Sequence, residues 1–362
     1  MDKELKLPFY AKASLSFIGL YTFISILYIG QDIIVPLIIA TILAIILNPS
    51  VNYMVKKRIN RVLAIIITLA LCFLVIASFA TFLYSQVVRM SETWPQLVDK
   101  LTQILHQISI WASQYLNISP SKVDNWLIKT RGELINTNTS SIGSTLMSVG
   151  NVVIAFFLLP VYIFMILFYE PLLLDFIRKL FGKSNNGVVG EIITEIKTVI
   201  QRYLIGLLIE AVIIAVLFTA GLLLLGIEYA IIFGILGALL NMIPYVGAII
   251  AAILPMMVAL ATKSSPWFAV LVLLLYIVIQ FIDNNYIVPK IVASKVKINA
   301  LVSMIVVVAF GALWGISGMF LSIPLIAIIK LIFDHIEPLK HWGFLLGDTM
   351  PALNEFKKAK ED

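Results

Sequence analysis

Six long apolar stretches constrain the fold more than any other feature of this sequence of 362 residues. An α-helix rises 1.5 Å per residue, so about 20 apolar residues cross a hydrocarbon core of about 30 Å. The stretches are apolar on all sides and do not alternate with period two, which predicts helices and not strands. They lie at 13–30, 33–51, 62–84, 146–169, 203–225 and 267–288.

The composition points to lipid as the solvent for most of the chain. Hydrophobic residues make up 61% of the sequence and charged residues 13%, which is about half the charged share of a soluble domain. Too little polar surface remains to cover a single water-soluble core. The sequence therefore predicts an all-α, polytopic membrane protein in contact with a lipid bilayer. Its single cysteine, Cys72, argues against a fold held by disulfides.

Two further apolar stretches, 227–262 and 299–333, are too long for one crossing. Each would form a straight helix about 50 Å long, and tilting does not absorb that excess at low cost. Pro removes a backbone donor and Gly loosens the backbone, so residues of these types in the middle of each stretch predict two helical hairpins. The sequence therefore predicts about six full spans and two helical hairpins, which simple hydropathy would count as seven or eight spans. The breakers are Pro244 and Gly247 in the first stretch, and Gly311, Gly315, Gly318 and Pro324 in the second.

The positions of Lys and Arg test these hairpins independently. The segment 52–61 carries four basic residues and no acidic one, which places it on the cytoplasmic side. If both long stretches fold back, Lys263 lies outside and the basic loop 290–297 lies inside. Both termini then lie in the cytoplasm.

Two segments outside the spans show apolar residues at helical spacing. The pattern over 94–115 predicts an amphipathic helix. Such a helix either lies on the membrane or on its own protein, or pairs with copies of itself in an oligomer. A shorter stripe over 188–200 predicts an interfacial helix that leads into the fifth span.

Motifs of catalysis are incomplete. Gly182-Lys183-Ser184 resembles the end of a phosphate-binding loop, but Ile177 stands where its first Gly is required. Gly315-Ile-Ser317-Gly318 resembles an intramembrane serine protease, whose base is a membrane-embedded His, whereas all three histidines fall in predicted loops or at span ends. The sequence shows neither metal-ligand spacing nor interleaved basic and aromatic residues. It predicts no enzyme, no cofactor, no metal, and no nucleotide or nucleic-acid partner.

Polar side chains within the spans are the remaining functional signal. Glu210 and Asp283 are the two acidic residues inside predicted apolar spans. A charge there costs at least about 2.5–3.5 kcal/mol, so such residues are usually functional or paired. Gln280, Asp283 and Asn284 are spaced i, i+3, i+4, which predicts one polar helix face that binds a polar solute or a cation. The alternative for both carboxylates is a structural clamp between helices.

The order of these motifs along the chain resembles the autoinducer-2 exporter family of permeases, and the resemblance covers nearly the whole sequence. It implies a bacterial inner-membrane transporter that is often oligomeric. Some members are associated with export of a signalling furanone and others with sodium/proton exchange. The motifs are Asn241-Met-Ile-Pro244-Tyr-Val-Gly247 with Pro255, Asp283-Asn284 with Pro289, and Gly311-x3-Gly315-x2-Gly318-x5-Pro324.

Two interrupted hairpins of opposite orientation predict a substrate site between unwound tips near mid-membrane. The leading hypothesis is a secondary transporter that exports a small polar solute, and the first alternative is a cation/proton antiporter with Asp283 or Glu210 as the titrating carboxylate. A non-transporting membrane scaffold is the second alternative. The candidate binding residues are Asp283, Asn284, Gln280, Glu210, Asn241, Pro244 and Gly247, while Gly311, Gly315, Gly318 and Pro324 are assigned to the hairpin and its packing.

These interpretations divide the chain into five regions, and a homo-oligomer is expected. The regions are the N-terminal membrane helices (1–84), an extracytoplasmic helical insertion (85–145), the fourth span with a cytoplasmic amphipathic helix (146–202), a core transport region with both hairpins (203–338), and a cytoplasmic tail (339–362).

Overall fold

The computed structural model describes residues 8–116, 158–180, 186–243, 247–292 and 298–348. These residues form helices, with one isolated β-bridge and no strand, which confirms the all-α prediction. The helices are α1 (Phe9–Ile29), α2 (Gln31–Lys56), α3 (Arg61–Leu116), α4 (Leu158–Leu180), α5 (Asn186–Leu224), α6 (Ala230–Asn241), α7 (Gly247–Thr262), α8 (Trp267–Ile282), α9 (Ala300–His335) and α10 (Lys340–Leu346), with a π-helix (Asp283–Val292) after α8 and a 3-10 turn (Glu337–Leu339) before α10.

Seven of the described helical segments are long and apolar enough to cross a membrane. Their outward faces carry many exposed Leu, Ile, Val and Phe side chains, and α1 has no buried residue at all. A water-soluble monomer rarely exposes such large apolar patches, so these faces contact lipid.

The first predicted hairpin is confirmed. Helices α6 and α7 pack against each other and are separated by residues 242–246. The two arms are very close at this turn, because a Cβ on Gly247 would lie 1.6 Å from the carbonyl oxygen of Leu240. Only glycine fits there. Pro244 lies outside the described residues.

The second predicted hairpin is also confirmed, within α9. Trp314 and Gly315 leave the helical conformation, and Gly315 has a φ of 61°, which favours glycine. A Cβ on Gly318 would lie 1.9 Å from the carbonyl oxygen of Phe310, whereas eight residues of straight helix span about 12 Å. The chain therefore reverses at Gly315. At the base of this hairpin, the backbone N–H of Asn299 donates to the Leu346 carbonyl oxygen at 3.2 Å.

The hairpins enter the bundle from opposite ends of the long helix formed by α8 and the π-helix. The base of the first lies at the start of α8, where the Lys263 amine approaches Gly226. The base of the second follows the end of the π-helix. Met242, at the first turn, packs against the same apolar cluster that contains Trp314 of the second turn.

Three predicted boundaries differ from the structure. The third span and the segment 94–115 form one continuous helix, α3, and do not form a span followed by a separate surface helix. The stripe over 188–200 likewise belongs to the same helix as the fifth span, α5. Helix α4 continues to Leu180, 11 residues beyond the predicted end of the fourth span. Amphipathic periodicity shows which face is apolar but not where a helix ends, and most side chains of the 94–115 stripe lie outside the described residues.

The described residues pack into three apolar clusters. The largest joins α5, α6, α7 and α8 around Phe218, Phe233, Val272 and Tyr276. The second joins α2, α5 and α9, and the third joins α2, α3 and α4. Helix α5 contributes to two of the three clusters and is the central element that positions the site.

Candidate functional site

Three polar side chains from three elements meet inside the bundle. The side-chain amide of Asn241, at the end of α6, donates from Nδ2 to Asp283 Oδ2 at 2.8 Å and to Glu210 Oε1 at 3.3 Å. Since one nitrogen reaches both oxygens, the two carboxyl groups are close neighbours. We call Glu210 and Asp283 the carboxylate pair; Asn241 bridges them.

Small residues bring these elements together. A Cβ on Gly234 in α6 would lie 2.0 Å from Thr219 Oγ1 in α5, and a Cβ on Gly206 in α5 would lie 2.6 Å from the Ile291 carbonyl oxygen in the π-helix. Glycine at both positions lets the backbones approach closely, as is common between membrane helices. The last turn of α6 therefore ends against α5, and Asn241 reaches Glu210.

The carboxylate pair is buried and lacks a cationic neighbour. Asp283 is 1% exposed and Glu210 is 5% exposed. Among the described residues, no Lys, Arg or His forms an ion pair with either carboxyl group, and Asp283 Oδ1 has no hydrogen-bond partner. Buried charges in proteins are normally paired or bound to an ion. Two neighbouring carboxylates without a cation repel each other, so a bound proton or cation stabilises this arrangement.

The carboxylate pair lies deep within the helices that carry it. Glu210 is 14 residues from the end of α5 at Leu224, and Asp283 is 16 residues from the start of α8 at Trp267. At 1.5 Å per residue, both side chains lie about 20 Å from the end of the bundle that carries Lys263. That depth is inside the hydrocarbon region, beside the turn of the first hairpin.

Gln280 and Asn284 do not join this cluster. Gln280 Nε2 donates to Asn284 Oδ1 at 3.3 Å on the outer side of the helix, where Asn284 is exposed. The prediction that the three side chains form one polar face is wrong: Asn284 follows Asp283 directly and points about 100° away from it, and Gln280 bonds to Asn284 and not to Asp283. In addition, the hydrogen bonding changes to the π pattern from Asp283 onward.

The predicted hairpin residues lie at points of close backbone approach or in buried packing. Gly247 is buried against Leu240, Gly318 against Phe310, and a Cβ on Gly311 would meet the Met319 side chain at 2.8 Å. Pro324 is buried in the second arm of α9. Their described contacts are therefore packing contacts. The indole of Trp314 anchors the second turn by donating to the Leu27 carbonyl oxygen of α1 at 3.0 Å.

A second polar cluster was missed by the sequence analysis. The Glu170 carboxylate in α4 accepts from Asn48 Nδ2 at 2.7 Å, from Arg61 Nη2 at 2.8 Å and from Lys197 Nζ at 2.5 Å. These four residues, the ion-pair cluster, join α2, α3, α4 and α5. Arg61 also donates to the Leu167 carbonyl oxygen at 2.7 Å. The predicted fourth span ends at residue 169, which leaves Glu170 just outside the predicted spans.

The described residues contain no group of three or more His, Cys, Asp and Glu side chains placed to hold a metal ion. The carboxylate pair and Asn241 together supply two carboxylates and one amide. They can hold a proton or form part of the coordination of a monovalent cation.

Comparison with known proteins decides the family. The model of the AI-2E family transporters matches residues 17–337, which is most of the chain and includes both hairpins and the carboxylate pair. The chain belongs to this family.

Curated relatives cover almost the same length. The AI-2 transport protein TqsA of Escherichia coli (strain K12) is 26% identical over 320 residues, covering 88% of this chain and 90% of TqsA. YueF of Bacillus subtilis (strain 168) is 25% identical over 90% of this chain and 88% of its own. PerM of Escherichia coli (strain K12) is 25% identical over 85% of this chain and 88% of its own. All three carry names of transport proteins or permeases. The chain is therefore a multi-pass transporter of the bacterial inner membrane.

Proposed function

We propose that this protein is a secondary transporter that exports a small polar solute, and that the carboxylate pair is its coupling site. One observation carries the proposal. Two buried carboxyl groups share one amide, with no cationic side chain among their described contacts. Ionisable residues without a structural counter-ion inside a membrane protein commonly mark ion or proton pathways.

The neighbouring elements support the same proposal. Interrupted helices near mid-membrane have free backbone N–H and C=O groups that can bind a substrate, whereas continuous helices use these groups internally. Both hairpin turns pack in apolar contact with α5. The π-helix begins at Asp283 itself, and π-helical segments are frequent at functional sites. A polar solute would bind beside the hairpin turns while the carboxylate pair gains or loses a proton. The relative named as an AI-2 transport protein supports a small polar solute.

Cation/proton antiport is the second candidate. The neighbouring carboxylates favour it, because they could bind either a cation or protons at the same place. In that case the transported species is the cation itself, and no organic solute is needed. The scaffold alternative requires permanently paired carboxylates, and the described contacts supply no cationic partner for either one.

Flux measurements in proteoliposomes test the proposal. The wild-type protein is compared with a Glu210→Gln, Asp283→Asn double variant, with an imposed pH gradient, an imposed sodium gradient or neither, and protein-free liposomes are the blank. For the exporter, small polar solutes, including the furanone signal, should move faster under a pH gradient. The double variant should lose that response. Sodium movement against a proton gradient without any solute would favour antiport, and equal flux in wild type and double variant would overturn the coupling role.

The orientation and assembly remain part of this proposal. The basic segments at 52–61 and 290–297 support cytoplasmic termini with Lys263 outside. Labelling of a single cysteine at position 295 only from outside, in a Cys72→Ala background, would contradict this orientation. The apolar periodicity of 94–115 supports a homo-oligomer that buries this part of α3.

A further inference from the structure

The ion-pair cluster borders a cavity on the outer side of the bundle. The cavity has a volume of about 240 Å³ and lies between α2, α4 and α5. Its wall is largely aliphatic, and its rim is open because Thr41 and Leu173 are exposed. Asn48, Glu170 and Lys197 lie side by side in this wall and form its main polar patch. The cavity thus combines a long aliphatic wall with a polar patch, as an amphiphile would require.

Two independent observations indicate the chemistry of an occupant. Asn48 is 7% exposed, and its Nδ2 is used by Glu170, but its Oδ1 is buried without a hydrogen-bond partner among the described residues. A buried acceptor of this kind normally accepts a hydrogen bond, so Asn48 Oδ1 is available to an O–H or N–H donor of an occupant. The cluster also has unequal charges, since the single carboxylate of Glu170 faces both Arg61 and Lys197.

The surrounding charge favours an anionic head. The turn between α2 and α3 adds Lys56, Lys57 and Arg58 near Arg61 without an acidic residue. Basic side chains at the membrane surface attract anionic lipids, by about 1 kcal/mol for each Lys or Arg. A headgroup that is both anionic and hydroxylated would neutralise the excess positive charge and also donate a hydrogen bond to Asn48 Oδ1.

We propose that this cavity binds an anionic membrane phospholipid with a hydroxylated headgroup, such as a phosphatidylglycerol. One acyl chain lies along the aliphatic wall, the phosphate lies toward Lys197 and Arg61, and a headgroup hydroxyl donates to Asn48 Oδ1. The bound lipid fills a space between α2, α4 and α5. It therefore links the ends of helices that the ion-pair cluster already joins.

Native mass spectrometry of the full-length protein in mild detergent tests the proposal. Phosphatidylglycerol and phosphatidylcholine with identical acyl chains are titrated separately, and the expected result is at least about fivefold tighter binding of phosphatidylglycerol. Equal retention of the two lipids would mean unspecific annular contact and would overturn the site. Competition by glycerol phosphate as strong as that by the lipid would also overturn it, because the cavity would then bind only an anion.

Substitutions at the rim of the cavity and at the proposed headgroup contact test where the lipid binds. Leu173→Trp fills the cavity rim and should abolish the preference for phosphatidylglycerol, whereas Leu172→Trp, on the adjacent exposed position of α4, should leave it unchanged. Lys197→Gln should reduce the preference about fivefold, and Lys197→Arg should restore it. If Lys197→Gln does not yield folded protein, the Leu173 and Leu172 pair decides. An unchanged preference in folded Leu173→Trp would place the lipid elsewhere.

Discussion

The carboxylate pair and the ion-pair cluster hold acidic groups inside the bundle in opposite ways. Glu170 has two cationic partners and an amide, so both of its oxygens are bonded. Glu210 and Asp283 share one amide between them, and Asp283 Oδ1 has no hydrogen-bond partner within the part of the chain that the structure describes. The first arrangement gives its carboxylate cationic partners from within the protein and joins four helices. The second has no cationic partner among the described residues, and in the proposed function a proton or cation takes that place.

This difference predicts that the ion-pair cluster contributes to the stability of the fold and that the carboxylate pair contributes to transport. Removing one partner from a buried ion pair leaves an uncompensated charge and lowers the stability of the fold. Removing a carboxyl group that has no cationic partner relieves repulsion and desolvation. Neutralising Glu170 should therefore lower the stability of the fold. Neutralising Glu210 or Asp283 should instead lower the transport flux.

Asp283→Asn should produce the largest effect. The substitution keeps the size of the side chain and its hydrogen bond with Asn241 but removes the proton-binding group. We expect solute flux in proteoliposomes to fall on the order of 100-fold, as for loss of a positioned proton carrier. The thermal unfolding midpoint should stay equal or rise.

Normal flux in well-expressed Asp283→Asn protein would contradict this assignment and shift attention to Glu210. A parallel loss of stability and flux would make Asp283 a structural clamp. Asp175→Asn is a suitable control, because Asp175 is exposed and pairs with Lys179 one turn away.

Glu170→Gln should reverse the pattern. Arg61 and Lys197 would lose their carboxylate, and their side chains are only 29% and 26% exposed. We expect unfolding in detergent to become easier by about 2 kcal/mol, somewhat below the cost in a fully buried pair. Flux per folded molecule should remain near that of the wild type. The same control, Asp175→Asn, should cost less than about 0.5 kcal/mol because exposed ion pairs contribute little. Lost flux with unchanged stability would contradict the proposed division.

Much of this architecture follows from sequence length and composition. Stretches near 35 residues with central Pro or Gly cannot cross a bilayer once as a straight helix, so both hairpins were predictable. Glu210 and Asp283 were found because acidic residues are rare within apolar spans. Asn241 was found beside the predicted break at Pro244. Their meeting at one amide could not be predicted, because it depends on which helices pack together.

The failures have equally specific causes. Glu170 was missed because an apolar stretch ending at residue 169 does not show that its helix continues to Leu180. Gln280 and Asn284 were grouped with Asp283 by spacing alone, although spacing does not show which side of the helix is buried. The change to π-helical bonding at Asp283 has no simple signature in the sequence.

Glu210→Gln should have a smaller effect on flux than Asp283→Asn. Its contact with Asn241 is longer, 3.3 Å against 2.8 Å, so its coupling to the shared amide is weaker. A hydrogen bond to a charged group contributes about 1.5 kcal/mol, which corresponds to about tenfold in flux. Flux should be measured under the same pH gradient as for Asp283→Asn. A larger loss for Glu210→Gln than for Asp283→Asn would exchange the roles of the two carboxyl groups.

Gln280→Ala and Asn284→Ala should have the smallest effects. Their side chains bond to each other on the outer side of the helix, and removing both partners of an exposed hydrogen bond costs little. We expect the double variant to change the unfolding free energy by less than about 0.5 kcal/mol and flux by less than about twofold. Flux and thermal unfolding are measured on one preparation, with Asp283→Asn as the positive control. A tenfold loss of flux at unchanged stability would show that solute passes along this outer face and not beside the carboxylate pair.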